Sequence, residues 1–233
     1  MSTPPQVVSE KPNGPRSRKG AKTRARLVEA AKAIFEQDGF LDARISDIAH
    51  KAGLSHGSFY HYFESKEEIF REVAAEVDER LSAPLGTVIL APTSNATPNE
   101  RISEAIRLHL ECYRDEARMM GVIEQVSRYD ERLNKVRLEL HANDRKQVAD
   151  SIRRLQSRGL ADRDLDPAIA AAAVGAMTWA FAEMWFVEGI LDCSFDRGVE
   201  QLTRLFANAL RLHDDRAIED DQAAPPRARR KTG

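Results

Sequence analysis

The stretch from Ile45 to Lys66, ISDIAHKAGLSHGSFYHYFESK, constrains the fold of this chain more than any other. Two short helices meeting at a sharp angle need a small residue where they touch, a glycine able to take positive φ at the turn, and apolar residues that lock the second helix. Ala49 supplies the contact, Gly53 the turn, and Ile48, Leu54 and Phe59 the packed underside. Ser55 is placed to cap the second of these helices, predicted to run to about Phe63, so that its first turn carries free N–H groups suited to a phosphate. Along it, His56, Ser58, Tyr60, His61 and Tyr62 offer hydrogen-bonding side chains, and Gly57 leaves a gap for close approach. This is too polar and aromatic for an ordinary surface helix and suits contact with DNA; the plainer alternative is a helical hairpin whose aromatics only pack.

The rest of the chain also reads as helix, and no convincing strand is found. Leu27, Ala30, Ala31, Ile34 and Phe35 repeat at three- and four-residue spacing from about Thr23, on a first helix that Gly39 stops. Ile45, Ile48, Ala49 and Ala52 form the second helix, ended by Gly53. Ser65-Lys66-Glu67-Glu68 is a capping box opening a fourth helix striped by Ile69, Val73, Val77 and Leu81, which Pro84 and Gly86 break. Residues 82–97 read as a loop. Thr97-Pro98-Asn99-Glu100 joins a capping box to a proline at the first helical position, ahead of Ile102, Ile106, Leu110 and Tyr113. Further helices are expected at about 118–129, 131–158 and 167–189, the last opened by Asp166-Pro167, and at about 196–212, striped by Val199, Leu202, Phe206 and Leu210. The fold class is therefore all-α, with a small N-terminal helix-turn-helix module over residues 20–66 and a larger helical body over 67–213. Residues 1–19, with four prolines, and 214–233 read as disordered.

Composition narrows the function classes. With 42% hydrophobic and 31% charged residues the chain is globular, and two cysteines, Cys112 and Cys193, are too few for a disulfide scaffold, which fits a cytoplasmic setting. The net charge of −2 conceals +4 over residues 1–66 and −6 beyond, a basic module on an acidic body. Basic residues Arg16, Arg18, Lys19, Lys22 and Arg24 precede the expected first helix and could reach DNA as an arm or merely solubilise the tail. The basic run Arg227-Ala228-Arg229-Arg230-Lys231 reads as a disordered end.

The run Gly39-Phe40, Ile45, Asp47-Ile48-Ala49, Ala52-Gly53-Leu54-Ser55, Gly57-Ser58-Phe59-Tyr60, Tyr62-Phe63 and Lys66 resembles the DNA-binding domain of the TetR family of transcriptional regulators over about residues 20–70. The resemblance implies about nine helices, a homodimer, a small-molecule pocket in the body and binding to a palindromic operator, usually as a repressor. It places Ser58, Tyr60, Tyr62 and Lys66 at the DNA backbone, and His56, Gly57 and His61 at base edges in the major groove. Where family members commonly carry Thr or Thr-Ser before the second helix, this chain has Ala43-Arg44, so Arg44 becomes the candidate phosphate contact there. Ser55 completes the DNA-binding set.

In the body, Ile106, His109, Leu110, Tyr113, Met120, Ile123, His141, Met177, Trp179 and Phe181 are the candidate lining of a pocket for a small hydrophobic or amphipathic effector, with His109 and His141 as polar anchors and Met119 beside them. A solid core of the same residues has the same periodicity. His109 and Cys112 share a helix face, but two ligands do not make a metal site, and no cofactor is expected. No phosphate loop, nucleophile elbow or His-Glu-x-x-His motif supports an enzyme. Residues 167–187 contain a single charge, Glu183, and are long enough to span a bilayer; their alanine content instead suits a helix buried on two sides, between pocket and partner. Dimerisation is expected through about 167–189 and 196–212, using Ala171, Val174, Thr178 and Trp185 on one helix and Leu202, Leu205, Phe206 and Ala209 on the other.

Overall fold

The computed structural model describes residues 18–84 and 96–213, and every regular element among them is an α-helix. In chain order they are α1 (Arg18–Asp42), α2 (Ile45–Lys51), α3 (His56–Phe59), α4 (Lys66–Pro84), α5 (Pro98–Asp115), α6 (Ala117–Ser127), α7 (Glu131–Ser157), α8 (Pro167–Phe186) and α9 (Phe195–Leu210). The expected tail at 214–233, most of the expected arm including Arg16, and residues 85–95 of the expected loop lie outside the described residues.

Local chemistry accounts for the helix starts. The Thr97 hydroxyl accepts from Glu100 N, and the Glu100 carboxylate accepts from Thr97 N at 2.8 Å, the reciprocal bonds of a capping box. Asp166 Oδ1 accepts from Ala168 N and Ile169 N at 2.8 and 2.9 Å, with Pro167 at the first helical position. Arg44 precedes α2 with no side-chain cap, so the first bonds there run from Asp47 N and Ile48 N to its own carbonyl.

Four expectations change. Helix α1 begins at Arg18, so Arg18, Lys19, Lys22 and Arg24 are helical rather than an arm. The Arg24 guanidinium pairs with Glu72 and lies 4.5 Å over the Phe63 ring, which commits it to packing. Helix α3 is a single turn, His56–Phe59; Tyr60 to Tyr62 continue as a tight turn, with Tyr62 N donating to Phe59 O. Helix α4 extends to Pro84.

The chain divides into two compact units inside α4, between Ala74 and Ala75, and not at the start of that helix. The reason lies in its first two turns. Phe70 sits edge-on to Phe35 and Phe40, with centroids 5.0 and 4.8 Å apart, so these turns complete the core of the first unit. Gly39, at φ 73°, interrupts α1 so that Phe40 can fold back into that core. Lys66 then fastens the corner: its ammonium donates to the carbonyls of Phe40, Leu41 and Ala43 at 2.7, 3.0 and 2.9 Å.

In the second unit α7 packs along α8, and α5 packs against α8 and α9. A buried ion network there centres on Arg137 of α7, which bonds Asp78 of α4 at 3.2 Å, Ser127 at 2.9 Å and Glu124 at 2.8 Å. Trp185 of α8 stacks on Phe195 and lies so close over Gly198 of α9 that a Cβ there would approach its ring to 2.4 Å. Trp185 therefore packs within its own subunit. Ala171, Val174 and Leu202 are also buried inside the subunit, so they are not available to a partner. The large apolar side chains that α8 and α9 leave exposed are Ile169, Met184 and Leu205.

Candidate functional site

The N-terminal unit presents the turn from Ser55 to Tyr62. Ser55 Oγ accepts from Ser58 N at 3.3 Å and lies 2.8 Å from Ser58 Oγ, so the cap and the next candidate contact form one linked pair. Phe59 and Phe63 are buried beneath, which turns the opposite side outward. His56, Gly57, Tyr60 and His61 are exposed, as are Ser55 and Arg44, while Ser58 and Tyr62 are half-buried. The His56 and Tyr60 rings meet edge-on at 5.4 Å. At Gly57 a Cβ would meet nothing within 4 Å, so packing within the chain does not demand glycine there. Gly53 differs: at φ 67° it requires glycine, and Arg26 closes over it to reach the Ala52 carbonyl. Lys66, expected at the DNA backbone, has all three ammonium protons directed at carbonyls, so it positions α1 against α4.

The second unit encloses a cavity of about 1140 Å³, walled by α5, α7 and α8 with residues of α4, α6 and α9. Of the expected lining, Ile106, His109, His141 and Trp179 line it. Leu110, Tyr113, Met120 and Ile123 are fully buried in the core instead, and Met177 and Phe181 are absent from the wall. Of α7 the expected set held His141 alone. In that helix Asn134, Arg137, Leu138, His141, Arg145, Val148, Ile152 and Leu155 line the cavity at helical spacing, a regularity the sequence contains. Phe206, expected between subunits, also lines it.

Polar groups tie this wall to α4. His109 Nδ1 donates to the Leu81 carbonyl at 3.2 Å, which leaves Nε2 as a buried lone pair without a partner. Burial pushes the His109 imidazole below the ordinary histidine value, against the opposing pull of the Leu81 carbonyl and Asp144. His141 is lowered likewise, by burial and then by Arg137, and its Nε2 is also unpartnered. Ser82 donates to Asp144 at 2.6 Å, and Arg137 holds Asp78, whose carboxyl burial pushes up to about 6 against that arginine. Thus three α4 residues, Asp78, Leu81 and Ser82, are each bonded to a side chain of the cavity wall.

The family model for bacterial regulatory proteins of the tetR family matches residues 27–73, the unit that carries the exposed turn. The chain is 30% identical over 176 residues to the HTH-type transcriptional repressor KstR2 of Mycobacterium tuberculosis, covering 71% of this chain and 82% of that one. The chain belongs to the TetR family. It is also 38% identical over 93 residues to the HTH-type transcriptional regulator YdgC of Bacillus subtilis, 40% of this chain and 46% of that one. A crystal structure of a TetR-family regulator from Mesorhizobium loti shares the fold, with TM-score 0.66 at 22% identity over 83% of this chain and 98% of that one. As a TetR-family transcriptional regulator the chain carries its DNA-binding helix-turn-helix in α2 and α3 of the N-terminal unit, and its helical C-terminal domain from Ala75 onward.

Among the described residues no group of three or more His, Cys, Asp or Glu could hold a metal ion. Helix α8 is long and apolar enough to cross a membrane by length and composition, yet in this TetR-family chain it packs on α5, α7 and α9.

Proposed function

We propose that the chain is a ligand-responsive repressor that binds a palindromic operator as a homodimer in the cytoplasm and is released by a small hydrophobic or amphipathic effector. The observation that carries the DNA half of this reading is Gly57, a residue open to solvent on the most polar exposed turn of the N-terminal unit, where the fold has room for a side chain. His56, Gly57 and His61 face base edges, and Arg44, Ser55, Ser58, Tyr60 and Tyr62 hold phosphates. Two such turns related by a two-fold axis meet successive major grooves about 34 Å apart.

The effector half rests on the cavity and its bonds to α4, the helix that begins in the N-terminal unit. A ligand that displaces Arg137, His109 or Asp144 alters what Asp78, Leu81 and Ser82 are bonded to. Release then requires that the ligand bind the DNA-free arrangement more tightly, since equal affinity for both states shifts nothing. The test is a gel shift on the chain's own upstream DNA. Wild type should bind, and Gly57→Ala should lose binding while keeping its melting temperature. Binding by Gly57→Ala at wild-type affinity would place the DNA contact elsewhere.

A further inference from the structure

The cavity has a direction. One face of α7 lines it from Asn134 to Ser157, which at about 1.5 Å per residue is roughly 34 Å of helix axis. Spread over that length, 1140 Å³ makes a cavity several times longer than it is wide. It suits an extended chain better than a compact ring system.

The charges are not spread evenly along it. Helix α7 runs antiparallel to α8, because His141 meets Trp179 at 4.8 Å while Ala149 and Ile152 pack with Ala170 and Ala171. Helix α5 runs parallel to α8, because Tyr113 meets Trp179 at 5.5 Å and Phe186 at 6.4 Å. The start of α5 therefore lies at the same end as the close of α7. That end holds Arg101, Arg154 and Arg158 of the cavity lining, while Asp144 and Arg145 lie midway along α7, where Asp144 already accepts from Ser82. The opposite end holds Glu124, Glu183 and Arg137, the last already shared between Asp78 and Glu124. Neither Arg101 nor Arg154 has a carboxylate partner among the described residues, and Arg154 bonds the Ser151 hydroxyl at 2.9 Å. Guanidinium groups recognise carboxylate and phosphate oxygens by paired charge-assisted bonds, so this end is built to receive an anion.

Resting on the reading of the cavity as the effector site, we propose that the effector is an extended amphiphile whose anionic head, a carboxylate or a phosphate, sits among Arg101, Arg154 and Arg158 while its apolar chain runs between α7 and α8 toward Trp179. The basic end sets the head group, and the cavity sets the shape. The glutamates at the far end disfavour a second anion there.

The experiment uses the full-length dimer and four probes with the same twelve-carbon chain: laurate, dodecyl phosphate, dodecanol and dodecyltrimethylammonium, each below its micelle concentration. Binding is read from Trp179 emission in a Trp185→Phe background and from calorimetry on wild type. At least one anion should bind about tenfold or more tighter than dodecanol, and the cation weakest. Preference between laurate and dodecyl phosphate assigns the head as carboxylate or phosphate. In Arg154→Glu/Arg158→Glu the order of anion and cation should reverse. Equal affinity for laurate, dodecyl phosphate and dodecanol, an unchanged order in that variant, or no binding by any probe to a dimer that still holds DNA would overturn the anionic class and leave the regulator reading standing. Anion binding that leaves DNA bound would uphold the head-group assignment and overturn the coupling instead.

Discussion

At the scale of single residues, Lys66 shows how one side chain can be read correctly in type and differently in role. A lysine at the start of α4 beside an exposed polar turn has the chemistry of a phosphate contact, and sequence spacing cannot reveal that three carbonyls around the end of α1 converge on it. Removing it leaves those carbonyls without their donor. Lys66→Ala is expected to lower the unfolding free energy by about 2 kcal/mol, measured by urea denaturation. The same variant separates the two roles through salt. With Arg44 and one cation of α1 per subunit at phosphates, log K against log salt should fall with a slope near −4 for a dimer, at about 0.9 per phosphate. Lys66→Ala should weaken binding without changing that slope; a slope shallower by about 2 would return Lys66 to the DNA backbone.

At the scale of elements, what was legible in the sequence is what local chemistry decides. Thr97 with Glu100 and Asp166 with Pro167 announce α5 and α8 because the bonds that start a helix join residues two to three apart. Periodicity tells which residues share a face and not what covers it. Leu110, Tyr113, Met120 and Ile123 do share an inward face, but it is solid core, whereas the cavity opens along α7. The contact between α4 and α7 has a pH signature. The Asp78 carboxyl, ordinarily at 3.8, is raised by burial to about 6, so the folded state holds this proton more tightly than the unfolded chain. Its contribution is full below about pH 4 and is lost as pH rises through 6. The stability of wild type minus that of Asp78→Asn should therefore fall by about 2 kcal/mol between pH 4 and pH 7, measured by urea unfolding across that range. His109 acts in the opposite sense. Its lowered value means stability present above its ordinary 6.5 and lost on acidification, a loss that His109→Gln should remove.

At the scale of the whole molecule, the exposed faces of α8 and α9 bear on assembly. Ile169 is 72% exposed and Leu205 54% exposed, large apolar side chains on two helices whose other faces meet the core and the cavity. Leu205→Glu is expected to give a monomer of unchanged helical content that no longer binds an operator, checked by sedimentation and gel shift; a dimer at micromolar concentration would place the interface elsewhere. Phe206 is a poorer choice for that test, because it lines the cavity. The division inside α4 has a consequence for inheritance. Because Phe70 closes the core around Phe35 and Phe40, a recombination crossover at Lys66 would give each offspring an N-terminal module lacking its own last two turns, and only a junction near Ala74 delivers it whole. The natural splice point falls in the middle of an unbroken helix, where a mismatched graft also shifts the helical phase of everything downstream by about 100° per residue. Exchange of sensor bodies between relatives is thereby restricted to crossovers that keep the residue count through α4.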